Sequence, residues 1–166
     1  IVAVGALLNL ARAADRSHAI LTAISNLDFA MEQMARTVRV GTFYYCSSGV
    51  QPVSNQTRDC TWGQGQGSLS FTSKDQERLV YKLNQTRGSL DRENLSSVPH
   101  KTFSITAPEI VVESLVFNVT GSSKFDAKQP KVLMRIKGHT AIAGLRAKDQ
   151  VTFDLQTSVS ERNPDL

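Results

Sequence analysis

The side chains that most often carry chemistry are scattered along this chain. Its three histidines stand in separate segments and form neither a His-Glu-x-x-His sequence nor a helical histidine pair: His18, His100 and His139. No Gly-x-Ser-x-Gly sequence presents a serine nucleophile for acyl transfer. These residues predict no catalytic site and no metal site.

A glycine-rich stretch, GQGQG at 63–67, resembles a phosphate-binding loop only weakly. Such a loop follows a strand, opens a helix and cradles phosphate with its backbone N–H groups. Here no strand pattern precedes the stretch, and the strand-like SLSFT follows it. We interpret it as a flexible loop and expect no nucleotide or other cofactor.

Three carboxylates, Asp15, Asp28 and Glu32, lie in a segment of helical periodicity that also contains Arg36 and Arg39. Glu32 and Arg36 are four residues apart, the spacing at which opposite charges meet on a helix. Ion pairing explains these carboxylates better than acid–base catalysis does, so no enzymatic activity is predicted.

Length and composition predict one globular domain. The chain has 166 residues, of which 40% are hydrophobic and 20% are charged. The net charge of +4 permits weak attraction to nucleic acid, but Lys and Arg are scattered without a dense run. Nucleic acid is therefore a possible but unsupported partner, and no small-molecule substrate is predicted.

One long helix is expected to contain His18 and the carboxylates of Asp15, Asp28 and Glu32. No Pro or Gly interrupts residues 6–40, a span of roughly 50 Å at about 1.5 Å per residue. Apolar residues recur at steps of three or four and form one stripe, which is expected to pack on the rest of the domain: Ile20, Ile24, Leu27, Met31, Met34 and Val38.

The N-terminal stretch, IVAVGALLNLARAADR, is apolar but shorter than the roughly 20 residues that cross a bilayer. We interpret it as the last turns of a membrane helix, with Arg12, Asp15 and Arg16 marking the exit into water. The alternative is a buried helix start in a soluble protein.

The remainder of the chain predicts a β domain. Gly41 is expected to end the helix, and residues 41–67, rich in turn formers, are predicted to be a loop that contains both cysteines. Alternating segments then predict one antiparallel sheet of roughly five to seven strands over residues 68–162: SLSFT, ERLVYKL, SLDR, IVVESLVFNVTG, KVLMRIKG and VTFDLQTSVSER.

Together these segments resemble type IV pilin-like proteins, and more narrowly minor pilins and type II secretion pseudopilins. The resemblance rests on NLDFAMEQMARTVRVG, SLSFTSKDQERLVYKL, ITAPEIVVESLVFNV and VTFDLQTSVSER. It implies an α+β fold: residues 1–19 end a membrane or filament-core helix, and residues 20–166 form a globular domain whose helix, 20–40, packs on an antiparallel sheet. The family's prepilin peptidase site would lie upstream of Ile1.

The resemblance also implies a function. The chain would be a structural subunit of a bacterial type IV pilus or type II secretion-type pseudopilus, held in the inner membrane by a single helix with its domain outside the cytoplasm. Its partners would be other pilin or pseudopilin subunits and, before assembly, the inner membrane. The stripe would face the sheet, and five residues would face lipid or neighbouring subunits: Val2, Val4, Leu7, Leu8 and Leu10.

Cys46 and Cys60 are the two cysteines of the chain. In a domain outside the cytoplasm, two cysteines separated by a loop of Ser, Gly, Asn and Pro are well suited to a disulfide. Two reduced buried thiols and a metal site are the alternatives, although no Cys-x-x-Cys or nearby His offers further ligands.

Two other functions remain open. A surface binding module on the same scaffold, such as an adhesin or a DNA-uptake subunit, would use loop residues as contacts: Arg58, Trp62 and Arg87. A membrane-anchored ectodomain unrelated to pili would be favoured by a clustered acid–base set, which the sequence does not contain.

Overall fold

The computed structural model describes residues 2–48, 55–61, 67–123, 128–141 and 150–162, with side chains from Ala13 onward. Within these residues the chain forms one helix, α1 (Val2–Arg39), and eight strands: β1 (Thr42–Ser47), β2 (Ser68–Thr72), β3 (Arg78–Asn84), β4 (Ser89–Asn94), β5 (Lys101–Ser104), β6 (Ile110–Thr120), β7 (Lys131–Thr140) and β8 (Thr152–Ser160).

The strands form two antiparallel sheets. One has five strands in the order β1-β2-β3-β4-β5, and the other has three in the order β6-β7-β8. Strands and bridges hold 47% of the residues whose side chains are described, and the helix holds 21%. The predicted α+β, pilin-like fold with a long helix packed on one antiparallel sheet is therefore wrong, because this is a mostly β protein with two sheets.

Two strands that the sequence did not indicate account for part of this difference. β1 lies inside the predicted loop 41–67, where its alternation is interrupted by a bulge between Thr42 and Tyr45. β5 is exposed at all four positions, so it lacks the alternation that marks a half-buried strand. Both strands are held by pairing with β2 and β4, which a local pattern does not reveal.

The core joins the helix to both sheets. β6 packs against four strands of the five-stranded sheet, β1 to β4, and α1 packs against β7 and β8. A single buried cluster draws on all three parts, for example Met34 of α1, Phe71 of β2 and Phe117 of β6. The molecule is thus built around the contact between β6 and the larger sheet.

The helix presents one buried face. Four of the six stripe residues, Leu27, Met31, Met34 and Val38, are buried, while Ile20 and Ile24 at the edge of the face are half-buried. Two alanines missing from the predicted stripe, Ala23 and Ala30, complete the face. Each fully buried large side chain contributes roughly 1.5–3 kcal/mol, so this face attaches the second half of α1 firmly.

The proposed lipid-facing or filament-facing residues lie on the first turns of α1: Val2, Val4, Leu7, Leu8 and Leu10. Their backbone is helical, but their side chains lie outside the described part of the structure. The described part of the chain contains no helical stretch with the length and hydropathy that a bilayer span requires.

Gly41 follows the last turn of the helix for a packing reason. Its N–H donates to the Val38 carbonyl oxygen at 2.9 Å. A Cβ atom at this position would lie 2.4 Å from Cδ2 of Phe71, so any larger residue would displace a buried ring. Glycine is needed here because the backbone passes close to the core.

Cys46 and Cys60 form a disulfide, with their Cα atoms 5.9 Å apart, which is consistent with the expected bridge. Cys46 is on β1, whereas the backbone of Cys60 exchanges hydrogen bonds with Val119 of β6 at 3.0 and 2.8 Å. The bridge therefore ties the five-stranded sheet to the three-stranded one.

Candidate functional site

The three predicted surface contacts do not form one described patch. Arg58 is exposed beside β1, with its guanidinium carbon 5.9 Å from the centre of the Tyr45 ring. Arg87, in the turn between β3 and β4, donates to Oδ2 of Asp91 at 2.9 Å. Trp62 lies outside the described residues. Both described arginines are thus engaged within the protein.

Surface histidines pair with carboxylates, one on each sheet. His139 Nδ1 lies 2.7 Å from Oε1 of Glu113, and His100 Nδ1 lies 3.6 Å from Oε1 of Glu93. Glu93 also accepts a hydrogen bond from Lys82 Nζ at 2.6 Å. No described hydrogen bond connects either pair to a nucleophilic side chain. Each pair is therefore suited to holding neighbouring strands together.

Among the described carboxylates, Asp154 on β8, the edge strand beside β7, has the most perturbed pKa. Hydrogen bonds from Arg135 hold the pKa of Asp154 well below its usual range, and Lys137 adds to this effect. Arg135 donates from Nε at 2.8 Å and from Nη2 at 2.6 Å, the bidentate geometry. The carboxylate of Asp154 is exposed and ionised, so with Arg135 it forms a cross-strand ion pair between β7 and β8.

No group of three or more metal-ligating side chains occurs in the described ranges.

A cleft of about 210 Å³ opens at the C-terminal end of α1. Three exposed cations line it, Arg39, Lys74 and Arg162, together with the buried carboxylate-bearing residue Glu161. The cations make no described ion pairs, and the helix end is closed by a hydrogen bond from Arg162 N to Arg39 O at 3.0 Å. Exposed cations attract anions only weakly, so the three cations do not by themselves make the cleft an anion site.

The helix has a stretch that the protein body does not bury. No side chain from Ala13 to Thr22 is buried, and the first buried residue is Ala23. Leu21 is 64% exposed and Phe29 is 62% exposed, and both project from the face opposite the buried one. Single exposed apolar side chains also occur elsewhere on the described surface, such as Val98 and Phe103.

A buried polar layer in the five-stranded sheet was missed from the sequence. It contains Ser70, Arg78 and Asp91, each at most 3% exposed. Its signal was the set of polar residues at alternate positions of SLSFT, ERLVYKL and SLDR, which ordinarily predicts a solvated face. Only the tertiary structure buries it.

The comparisons with known proteins give no relative. No family model, no curated protein and no solved structure matches this chain.

Proposed function

We propose that this protein is a structural subunit of an extracytoplasmic filament of the type IV pilus or type II secretion pseudopilus kind. It assembles through its N-terminal helix, after anchoring in the inner membrane. The observation that carries the proposal is the mismatch between the length of α1 and the part of it that the body covers.

α1 has 38 residues and is about 57 Å long at roughly 1.5 Å per residue. Its described burial begins at Ala23, so only the second half is needed to hold the body together. In proteins most of the stability of a helix comes from packing of an apolar face rather than from its propensity. The first half of α1 would therefore be stabilised by contact with another molecule.

The sequence of that first half indicates the kind of partner. Residues 2–10 contain only one polar side chain, that of Asn9. No described side chain before Ala23 is buried, and an apolar segment that continues such a helix would be stabilised by lipid or by other helices. Repeated copies of one chain supply such helices in a filament, and the β body then forms its outer surface.

Leu21→Arg tests this proposal, because Leu21 is 64% exposed and its replacement leaves the buried face intact. We expect the variant to lose incorporation into sheared filaments at least tenfold, in cells that assemble them, while its thermal unfolding midpoint stays within a few degrees of wild type. Val98→Arg is the matched control, since Val98 is 95% exposed and far from the helix in the chain.

The amount of each variant in the membrane fraction must be measured alongside, because a charge near a membrane helix also opposes insertion. Normal membrane level with lost incorporation supports a filament subunit. Incorporation of Leu21→Arg at the wild-type level, or equal losses for both variants, contradicts assembly through this helix.

A further inference from the structure

The buried polar layer of the five-stranded sheet contains two charged side chains, Asp91 and Arg78. Asp91 has an oppositely charged hydrogen-bond partner, whereas Arg78 has none among its described partners. Asp91 of β4 is fully buried and accepts hydrogen bonds from Arg87, Asn84 and Ser89. Arg78 of β3 is 3% exposed, yet none of its side-chain hydrogen bonds to the described residues is to a carboxylate. Its positive charge has no counter-charge among its hydrogen-bond partners.

Every acceptor that Arg78 does meet is a neutral oxygen. Nη1 donates to the Phe43 carbonyl at 2.8 Å and to Thr72 Oγ1 at 3.4 Å, and Nη2 donates to Ser70 Oγ at 2.9 Å. The Phe43 carbonyl is supplied by the bulge in β1, where Phe43 has a φ of 56°, a conformation that is unfavourable for a bulky residue. The backbone is thus bent at the point where it meets the guanidinium.

Two donors of this cluster still lack acceptors. Arg78 Nε is buried and has no partner in the described part of the chain. The Thr72 hydroxyl donates to Asn55 Oδ1 at 2.9 Å, but the Ser70 hydroxyl has only its bond from Nη2 and no described acceptor for its own proton. Nε and Nη2 form one edge of the guanidinium, the edge at which an anion is bound side-on.

Burial makes this arrangement costly for a cation. Burial lowers the pKa of Arg78 to about 10, so the group is still protonated at neutral pH. A buried ion that lacks a counter-charge is destabilising by several kcal/mol. The flanking sequence offers no remedy, because residues 41–58 and 60–74 contain neither Asp nor Glu.

We propose that Arg78 holds a small monovalent anion, of the halide class, at its Nε edge, with the Ser70 hydroxyl as the second donor. One positive charge matches one negative charge, and two donors match a monatomic acceptor. An oxyanion such as sulfate or phosphate would add excess negative charge and bring further oxygens that need donors. The bound halide links β2 and β3 in the folded state.

Equilibrium unfolding of the full chain in urea tests the proposal, with chloride exchanged for gluconate at constant ionic strength. Constant ionic strength keeps the screening of surface charges unchanged. Because a ligand that binds only the folded state stabilises it by mass action, each tenfold rise in chloride above its Kd should lower the unfolding constant about tenfold. Sulfate at equal ionic strength should not replace chloride.

Ser70→Ala keeps the sheet packing and removes the second donor, so its chloride dependence should fall to less than half of the wild-type slope. Arg36→Met, on the exposed face of α1, is the matched control and should keep the full dependence. In crystals grown with sodium bromide, an anomalous peak is expected within hydrogen-bond distance of Arg78 Nε. Unfolding that is independent of chloride, or density at Nε without a bromide signal, overturns the proposal.

Discussion

At the residue scale, Tyr44 links the end of the helix to the first strand. Its side chain is 1% exposed, and its hydroxyl lies 2.7 Å from the Val38 carbonyl oxygen and 2.6 Å from that of Gly41. Its ring lies 6.2 Å from the Phe71 ring, centre to centre. The Val38 carbonyl also accepts the Gly41 N–H, so the carbonyl that depends on the phenol alone for a described donor is that of Gly41.

Tyr44→Phe is expected to lower the free energy of unfolding by about 1–2 kcal/mol, because it leaves a buried carbonyl without its donor. Urea denaturation at neutral pH measures this loss. Tyr45→Phe is the control, since Tyr45 is half-buried and no hydrogen bond of its hydroxyl is described; it should change stability by less than about 0.5 kcal/mol. Equal effects of the two variants would contradict the role of Tyr44.

The same phenol predicts a pH dependence. Burial, with the nearby charge of Glu161, raises the pKa of Tyr44 well above the ordinary value of about 10. The folded state therefore keeps the proton when the unfolded state has lost it, so the stabilising contribution is complete below pH 10 and is lost as the pH rises further. Burial shifts the pKa of Arg78 in the opposite direction, so its contribution increases with pH in this range. The stability difference between wild type and Tyr44→Phe isolates the phenol, and it should decrease between pH 9 and pH 11.

At the element scale, the backbone of α1 is one continuous helix, but only its second segment is described as packed against the protein body. Arg36 and Arg39 lie in its last turn, where positive charges interact favourably with the helix dipole. Glu32 accepts a hydrogen bond from Arg36 Nε at 3.1 Å, so the predicted helical pair is present. These features, and every buried side chain among the described residues of α1, belong to the segment from Ala23 onward.

Deleting residues 1–22 should therefore leave a soluble monomer that unfolds cooperatively, since the deletion keeps every side chain of α1 that is described as buried. Size-exclusion chromatography and thermal unfolding measure this result. Deleting residues 1–27 is the matched comparison, because it also removes Ala23 and Leu27 and should cost roughly 2–5 kcal/mol. Aggregation of the shorter deletion would place the boundary nearer the N-terminus.

At the scale of the whole molecule, β6 makes the two sheets interdependent. It pairs with β7 in the small sheet and packs against β1 to β4 of the larger one. The disulfide segment reinforces the junction, since Asp59 accepts hydrogen bonds from the backbone N–H groups of Gly121 and Ser122, both at 2.9 Å. The two sheets and the helix should then unfold as one unit.

Phe117→Ala should cost roughly 3–5 kcal/mol, because Phe117 is fully buried at the centre of β6 and nothing can fill the space it leaves. Val116→Ala, at the adjacent half-buried position on the opposite face, should cost clearly less. Hydrogen exchange measures the extent of the damage, and protection should fall in β2, β7 and α1 together. A loss confined to the small sheet would show that the two sheets are separate cooperative units.

Much of the local structure was readable from the sequence. Six predicted strands coincide with β2, β3, β4, β6, β7 and β8, and the helix ends within one residue of the position expected from Gly41. The spacing of Glu32 and Arg36 also sufficed to predict their contact. These features depend on neighbours within a few residues, so helical periodicity and strand alternation reveal them directly.

The tertiary structure alone decided the rest. Alternation indicates a strand but does not show which strand it pairs with. The sequence therefore could not predict three features: the separation into two sheets, the edge strands β1 and β5, and the position of β6 between layers. For the same reason the alternation of ERLVYKL does not indicate that Arg78 is buried, although the fold leaves it 3% exposed among neutral oxygens. Burial is a property of what packs on a surface, and that depends on residues far away in the chain.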